Sequence, residues 1–324
     1  MLYSPFATPF IELLVEAFVY TGGNIINNLT TRKYSAEEGD LVLSVDHGDN
    51  VRGIASDNLG NFYTGGFRTD TIGGEFATTR KYDSAGNLIW SVDHLDFVLG
   101  IAVDQNGFVY TGGGRTNTIT TRKYDSDGTL IWSRDHGSTV FGIAVDQNGF
   151  VYTVGVRSGN LTTRKYDSDG NLIWSVDHGA TVLGIAVDQD GNVYTGGNVT
   201  LFRTTRKYDS DGTLIWSVNH QAVVRAVAVD QNGFVYTGGA RTSDGITTRK
   251  YNSDGNLIWS VDHGTTVRGV AVDQDGFVYT VGDTANNVTT RKYDSDGTLI
   301  WSVDHGTIVF GVDTFPPNKG AFLS

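Results

Sequence analysis

The chain contains no cysteine, one methionine and only four prolines in 324 residues. The lack of cysteine excludes disulfides, thiolate metal sites and a cysteine nucleophile. The prolines stand at positions 5, 9, 316 and 317, so the two ends differ in composition from the interior. No apolar run approaches the roughly 20 residues of a membrane-spanning helix, and we expect no membrane span.

Basic residues are also scarce. Lysine and arginine number 24 against 36 aspartates and glutamates, which leaves a formal net charge of −12. Because nonspecific nucleic-acid binding depends on phosphate neutralisation, this charge argues against a nucleic-acid partner. The N-terminal segment has no basic region, and Glu12 and Glu16 interrupt its apolar stretch. We therefore expect a cytoplasmic or virion location rather than classical secretion.

A sequence repeat dominates the interior of the chain. The string Thr-Thr-Arg-Lys-Tyr occurs seven times, at intervals of 42 to 48 residues. Its copies begin at Thr30, Thr78, Thr120, Thr162, Thr204, Thr247 and Thr289. A period in the low forties with glycine-rich turns is typical of a β-propeller, whose blades bury their faces only against one another. We expect one domain at 18–313, with an N-terminal extension at 1–17 and a C-terminal tail at 314–324.

Each repeat divides into four strand-like segments, named A to D in the order in which they follow one another. In the repeat at 140–178 they read VFGIAVD, FVYTVG, LTTRKY and NLIWSVDH. β-branched and aromatic residues fill these segments, and Asn-Gly or Asp-Gly turns follow strands A and C. The sequence therefore predicts an all-β protein, a seven-bladed β-propeller of four-stranded antiparallel blades.

The repeat also predicts how the ring closes. The first strand-like segment, FVYTGG at 18–23, is a strand B, and a strand-A segment, VFGVD, stands at 309–313. We expect this C-terminal strand A to join the N-terminal strands B, C and D in one blade, which would remove the open edges. The segment at 10–14 competes for the same place, although its residue types match strand A poorly.

The repeat resembles the bacterial SBBP-type β-propeller repeat and, more distantly, the pyrroloquinoline-quinone-type and NHL-type repeats. The resemblance rests on GIAVD at 184–188, GNVY at 191–194 and KYD at 165–167, and it extends over about residues 18–313. It implies a β-propeller fold. It implies no particular activity, because these families share no single function.

Residues that recur in every blade are expected to serve the ring. All seven histidines close a strand D and six follow an aspartate. An Asp-His pair can orient a catalytic imidazole, but nothing singles out one blade, so we predict a structural role. The repeated tryptophans predict blade docking rather than a cofactor site. The repeated Arg-Lys pair is expected to face acidic groups of adjacent blades.

The turns after strand C often read Asp-Ser-Asp-Gly. Such oxygen-rich turns resemble part of a Ca²⁺ loop, but a full cage needs six to eight ligands, and the same residues suit a plain hairpin turn. We therefore expect neither a metal nor a cofactor.

The copies differ mainly in the connection between strands B and C. These connections span 24–29, 67–77, 114–119, 156–161, 198–203, 240–246 and 283–288. In an antiparallel four-stranded blade the B–C and D–A connections emerge on one face, here called the variable face. The opposite face is nearly uniform and acidic. The variation marks either a binding surface or drift in unconstrained loops.

Arginine and aromatic residues concentrate in this varied part of the chain, in two clusters and several single positions. The position after the first residue of strand A also varies, and holds Arg52, Leu99, Phe141, Leu183, Arg225, Arg268 and Phe310. Arginine with aromatic neighbours is typical of protein-contact and anionic-glycan surfaces. The candidate partner-binding residues are Arg68, Phe76, Phe97, Arg115, Arg157, Phe202, Arg203, Arg225, Arg241 and Arg268.

We interpret the protein as a non-enzymatic binding or assembly module that presents its variable face to a protein or glycan partner. A phage or virus structural component, and thus a place in a larger assembly, fits this interpretation. Two alternatives stay open. One is a polysaccharide-acting lyase or hydrolase with its site at the channel mouth, and the other is a multivalent lectin.

Overall fold

The computed structural model describes residues 16–26, 29–48, 50–69, 75–94, 96–116, 119–158, 161–200, 203–285 and 288–315. In this part of the chain the regular elements are β-strands, and no helix occurs. It follows that none of the described segments could cross a membrane as an apolar helix.

The strands in chain order are β1 (Phe18–Ile26), β2 (Leu29–Ser35), β3 (Leu41–Val45), β4 (Val51–Ser56), β5 (Phe62–Thr69), β6 (Glu75–Tyr82), β7 (Leu88–His94), β8 (Val98–Val103), β9 (Val109–Thr116), β10 (Ile119–Tyr124), β11 (Leu130–Arg134), β12 (Val140–Val145), β13 (Val151–Ser158) and β14 (Leu161–Tyr166). The second half of the ring contains β15 (Leu172–Val176), β16 (Val182–Val187), β17 (Val193–Thr200), β18 (Arg203–Tyr208), β19 (Leu214–Val218), β20 (Val224–Val229), β21 (Val235–Gly239), β22 (Thr248–Tyr251), β23 (Leu257–Val261), β24 (Val267–Val272), β25 (Val278–Ala285), β26 (Val288–Tyr293), β27 (Leu299–Val303) and β28 (Val309–Phe315).

These strands form seven antiparallel four-stranded sheets, one per blade. Six sheets follow the chain, from β4-β5-β6-β7 to β24-β25-β26-β27, and the remaining sheet has the order β28-β1-β2-β3. Strand β28 pairs with β1, so that Phe315 lies opposite Phe18 and Asp313 opposite Tyr20. The predicted closure by the C-terminal strand A is therefore confirmed. The competing segment at 10–14 lies outside the described residues.

Strand A is the innermost strand of each blade. Each strand A contacts the next one, from β4 to β8 and onward to β24, and β28 contacts both β24 and β4. In β4 every residue except the second is buried, whereas a strand D such as β15 begins with two exposed residues. The seven-bladed propeller of four-stranded blades is thus confirmed.

The turns that leave strand A use one glycine each. In the fourth blade Gly149 has a φ of 79°, and its amide donates to the carbonyl oxygen of Asp146 at 3.0 Å. The Asp146 carboxylate accepts from the amides of Asn148 and Phe150 at 2.9 and 3.0 Å. Only a residue without Cβ adopts this φ at little cost. The acidic residue is therefore engaged in building the turn.

Neighbouring blades interlock through the repeated aromatic and basic residues. The indole of Trp174 donates to the carbonyl oxygen of Ser210 at 2.9 Å, and the ring packs over Gly212 of the same turn. Lys165 donates to the same Ser210 carbonyl at 3.0 Å. The docking role of tryptophan is confirmed. The hydrogen bond of the lysine goes to a backbone carbonyl, but acidic groups do face it as predicted: burial lowers the pKa of Lys165, and the nearby carboxylates of Asp146 and Asp211 oppose this shift.

The histidines join blades as well. The amide of His178 donates to Thr162 of its own blade at 3.0 Å, and its Nε2 lies 3.2 Å from the Tyr208 hydroxyl of the next blade. Burial, and then the nearby Arg206, lowers the pKa of His178 to about 3. A neutral, buried imidazole between two blades has a structural role, as predicted.

Candidate functional site: the axial ring and the variable face

Every innermost strand carries a β-bulge at its second residue. In the last complete repeat, Val267 pairs with Gly282 and Gly269 with Val281, so Arg268 is the extra residue. The same register shift occurs in the other six blades. A bulge re-aims the side chain of its extra residue, and here it brings one side chain per blade to the axis. These seven residues, the axial ring, are Phe310, Arg52, Leu99, Phe141, Leu183, Arg225 and Arg268.

The axial ring lines a single cavity of about 220 Å³. Because strand A begins at the D–A connection, this cavity lies toward the variable face. The contacts between innermost strands give the order of the side chains around the axis. One arc consists of Arg225, Arg268, Phe310 and Arg52, and the other consists of Leu99, Phe141 and Leu183. The cavity therefore has a cationic side and an apolar side.

Phe310 lies between two of the arginines. The guanidinium carbon of Arg52 is 3.8 Å from the centroid of the Phe310 ring, and that of Arg268 is 5.1 Å away. Cations above an aromatic face are attracted by its quadrupole. Arg268 also forms an ion pair with Asp283 through its Nε. Both arginines are thus held in place by named partners.

Arg225 has a different environment. Its Nε is buried and finds no hydrogen-bond acceptor among the residues that the structure describes. Burial, and next the charge of Arg268, lowers the pKa of Arg225. The carboxylate of Asp283 opposes this shift in the pKa of Arg225.

The cationic arc continues outward to a pair of aromatic residues, Phe67 and Phe97. The guanidinium carbon of Arg52 is 5.9 Å from the Phe67 ring. Phe67 in turn packs edge-on against Phe97, with their ring centroids 5.3 Å apart. Phe97 is 45% exposed. The predicted contact residue Phe97 therefore connects to the axial ring through two ring contacts.

Arg241 does not belong to this group. Its guanidinium pairs with the carboxylate of Asp262 at 2.7 Å, and both side chains are well exposed. Exposed pairs of this kind contribute little to stability. Arg241 remains accessible on the sixth blade, but the axial ring is built without it.

The longest B–C connection is shorter than we expected. Strand β5 continues to Thr69 and β6 starts at Glu75, so the expectation of a loop over 67–77 was wrong at both ends. The backbone places Arg68 directly opposite Phe76 in this extended hairpin. Arg68 and Phe76 therefore lie toward the tip of the hairpin. The repeat period does not reveal this cross-strand pairing.

The remaining predicted residues lie near strand ends at the variable face. Arg115 and Arg157 are each the residue before the last of β9 and β13. Arg203 begins β18 and pairs with Thr200. Phe202 lies outside the described residues.

The sixth blade enters its innermost strand in an unusual conformation. Gln221 has a φ of 60°, the only non-glycine residue with a positive φ among those described. Its amide donates to the side-chain oxygen of Asn219 at 2.8 Å, as the amide of Gly179 donates to Asp177 at 2.7 Å. Asn219 therefore keeps the turn that an aspartate caps elsewhere.

The sequence showed that the second position of strand A varies between blades. It did not show that the seven side chains at this position line one cavity. The available signal was a change between Arg, Leu and Phe at a fixed repeat position. Chemically, the arrangement can hold a negative charge beside an apolar group. No cluster of three potential metal-ligating side chains occurs in the described ranges, and all seven histidines are buried.

Comparison with known protein families gives two partial matches. The model of the family described as outer membrane protein assembly factor BamB matches residues 76–207. The model described as β-propeller repeat, SBBP, matches residues 262–288. These matches support the resemblance to PQQ-like and SBBP-type β-propeller repeats that the sequence predicted. A search of curated proteins gives no significant match.

Two solved structures share the fold at low sequence identity. The WD40 β-propeller domain of Doa1 superposes with a TM-score of 0.62 at 14% identity, over 82% of this chain and 93% of that domain. A protein of unknown function from Bacteroides caccae superposes with a TM-score of 0.52 at 12% identity, over 92% of this chain and 98% of that protein. At these identities the likeness concerns the fold alone.

Proposed function

We propose that this PQQ-like, SBBP-type β-propeller is a non-enzymatic module that docks a protein partner on its variable face. One observation carries the proposal. The residues in which the blades differ meet on this face, where the exposed Phe97 is linked through Phe67 to Arg52 and the axial ring. Aromatic and arginine side chains are enriched among the residues that dominate protein interfaces.

Most of the other exposed apolar residues are the same in every blade and therefore do not distinguish one blade from another. They recur at the start of strand D in every blade, as Leu88 and Ile89 do in the second. Among the large apolar residues whose exposure the structure describes, Phe97 and Leu59 are the exceptions, and Leu59 lies in an A–B turn on the opposite face. A partner that recognises one orientation of the ring needs such a distinct feature, and Phe97 supplies it on the variable face.

The ring also offers a preformed surface. Neighbouring blades are joined by contacts such as those of Trp174, Lys165 and His178. A rigid surface loses little conformational entropy when a partner binds. Binding without large rearrangement of the blades is therefore expected.

A photo-crosslinking experiment tests the proposal. A benzophenone amino acid replaces Phe97 in one protein and Ser168, exposed in a C–D turn of the opposite face, in a matched control. Irradiation in an extract of the source cells or particles should give a defined protein adduct at position 97 and none at position 168. Adducts that are equal at both positions, or absent at position 97, would contradict docking on the variable face.

Charge reversal then tests whether the same contact depends on the predicted arginines. Arg68→Glu and Arg203→Glu should each weaken the crosslinked complex at least tenfold, while the thermal unfolding transition stays in place. Ser126→Glu, which adds negative charge to the opposite face, is the control. An unchanged adduct yield in both arginine variants would show that the arginines of this face do not contact the partner.

A phage or virus particle is the setting that we propose for such a module, and mass spectrometry of purified particles tests it directly. Glycan is the rival ligand. A lectin with one site per blade predicts equivalent residues around the ring, whereas the axial ring alternates Arg, Leu and Phe. An enzyme needs converging acid and base groups. A glycan array and an assay for polysaccharide cleavage would reveal either activity.

A further inference from the structure

We propose that a cleft on the face opposite the variable face binds an uncharged sugar. This cleft, the junction cleft, lies between the sixth and seventh blades and has a volume of about 380 Å³. The A–B turn of the sixth blade and the A–B and C–D turns of the seventh blade surround it. Small-ligand sites occupy roughly 300–1,000 Å³, so a sugar of monosaccharide or disaccharide size suits the cleft.

The floor of the junction cleft combines an aromatic ring with a lysine. Phe234 is half-buried, and the Nζ of Lys250 lies 4.4 Å from the centroid of its ring. The ammonium group donates to the carbonyl oxygen of Ser295 at 3.0 Å, which fixes its place at the junction. The floor therefore presents apolar surface beside a positive charge.

The rim of the cleft has polar groups that the fold does not use. The side chains of Gln231 and Asn232 are exposed and make no hydrogen bond with residues that the structure describes. The carboxylate of Asp275 is also exposed and accepts no hydrogen bond from this part of the chain. A primary amide both donates and accepts, and a carboxylate accepts. The rim can thus pair with several hydroxyl groups of one ligand.

The charges around the cleft favour a ligand without charge. The carboxylates of Asp230 and Asp275 would repel an anion, and the ammonium of Lys250 would repel a cation. Hydroxyl groups can donate to Asp275 and accept from the amides without either repulsion. The C–H groups on one face of a sugar ring supply an apolar surface that can pack against Phe234. These requirements together select an uncharged sugar.

The corresponding junction between the fourth and fifth blades differs in one contact. There the side-chain amide of Gln147 donates across the junction to the carbonyl oxygen of Gln189 at 2.9 Å. Gln231, the equivalent of Gln147 in the sixth blade, makes no such bond within the described residues. The amide is therefore engaged at one junction and left for a ligand at the other.

Other junctions differ in residue type. In the fifth blade Asn192 stands at the position of Phe234, and in the fourth blade Asn148 stands at the position of Asp275. An aromatic floor, an unengaged glutamine and a rim carboxylate coincide between the sixth and seventh blades. We therefore expect about one sugar per chain.

Calorimetric titration of the full chain tests the site. The probes are maltose, cellobiose, lactose and N,N′-diacetylchitobiose, which are all uncharged. At least one should bind saturably, with an affinity that salt does not change, because the ligand has no net charge to screen. Its carboxylated and amino-substituted analogues should bind at least about tenfold more weakly. Saturable binding of none of the four, or equal binding of a charged analogue, would overturn the proposal.

Variants locate the site within the protein. Phe234→Asn and Asp275→Asn should each lower the affinity for the sugar at least about tenfold. Both should fold, because the repeat already holds asparagine at these positions in other blades. Phe150→Asn, the same change at the junction that Gln147 crosses, is the control and should leave the affinity unchanged. Sugar binding that survives both Phe234→Asn and Asp275→Asn would exclude the junction cleft.

The titration and the crosslinking experiment concern opposite faces of the ring. Sugar binding without an adduct at position 97 would support the junction cleft and contradict docking on the variable face. An adduct at position 97 without sugar binding would have the reverse meaning.

Discussion

The carboxylate of Asp313 accepts two hydrogen bonds from Ser56, one from the amide and one from the hydroxyl, each of 2.6 Å. The pair lies at the seam where the C-terminal strand β28 meets the second blade. At the junction of the fifth and sixth blades the corresponding positions hold Ala186 and Val229, which are both buried in one cluster. The seam thus replaces a packed Ala and Val by a buried acid and its hydrogen-bond donor, and this substitution has a measurable consequence.

Asp313 should make the stability of the ring depend on pH. Burial raises the pKa of Asp313 to about 6 from its usual 3.8. Since the folded protein binds this proton more tightly than the unfolded chain, the contribution is complete below pH 3.8 and is lost as pH rises through 6. Relative to Asp313→Asn, the wild type should gain about 0.8 kcal/mol between pH 8 and pH 5.5. Denaturant unfolding of both proteins measures it, and parallel pH profiles would contradict it.

The histidines act in the opposite direction. Burial lowers the pKa of six histidines to about 3. These are His94, His136, His178, His220, His263 and His305. Their contribution is complete above pH 6.5 and is lost as pH falls toward 3. Each group would cost about 1.4 kcal/mol at pH 5.5, and six together approach the whole stability of a domain. Acid unfolding is therefore expected between about pH 6 and pH 4.

Proton uptake on unfolding measures this effect. The slope of the unfolding free energy against pH gives the number of protons taken up on unfolding, and this number should be smaller by one in His178→Gln. That variant is also less stable at pH 7, because a buried contact between blades is lost. A flat stability profile between pH 7 and pH 5 would show that the imidazoles are not neutral in the folded ring.

The conformation of Gln221 predicts a stabilising substitution. Its φ of 60° lies where other D–A connections hold glycine, for example Gly179 with a φ of 76°. A side chain in this region costs roughly 1–2 kcal/mol, so Gln221→Gly should raise the unfolding free energy by about 1 kcal/mol. The reverse change, Gly179→Gln, should lower it by a similar amount. Thermal and denaturant unfolding of the two variants measures both changes in stability. Changes of unequal size would show that the conformation of the turn does not by itself explain them.

Blade docking can be tested at one tryptophan. Trp174 packs over Gly212 and donates to the Ser210 carbonyl, whereas the first blade has Leu43 at this position, packed near Gly86. Trp174→Leu should cost roughly 1–3 kcal/mol, because the hydrogen bond and part of the ring contact are lost. Trp174→Phe should cost about 1 kcal/mol. Equal stability of wild type and Trp174→Leu would refute a docking role for the indole.

The repeat alone predicted much of the fold. The seven strings of Thr-Thr-Arg-Lys-Tyr and the strand-A segment at 309–313 were sufficient for the number of blades, the strand order and the closing strand. The structural role of the histidines followed from their sevenfold recurrence. These features depend on the local residue pattern and on the repeat period, and a single sequence shows both.

The candidate site was only partly predictable. Arg225 and Arg268 appeared among the predicted contact residues, but Phe310 and Asp283, which contact Arg268, did not. A bulge arises only when two strands pair out of step, and the cavity forms only when seven such bulges meet on one axis. Likewise, the salt bridge between Arg241 and Asp262 joins a residue of a B–C connection to a residue of a D–A connection. Spacing along the chain contains no information on such pairs.

By itself the sequence determined the ring, because each blade repeats the same local pattern and needs its neighbours to bury its faces. Only the tertiary structure decided which of the varied residues act together. Closure brings Arg52 of the second blade against Phe310 of the last strand, and it separates a cationic arc from an apolar one. The physical reason is that repeated positions become neighbours around an axis, so that small differences between distant repeats are assembled into one cavity.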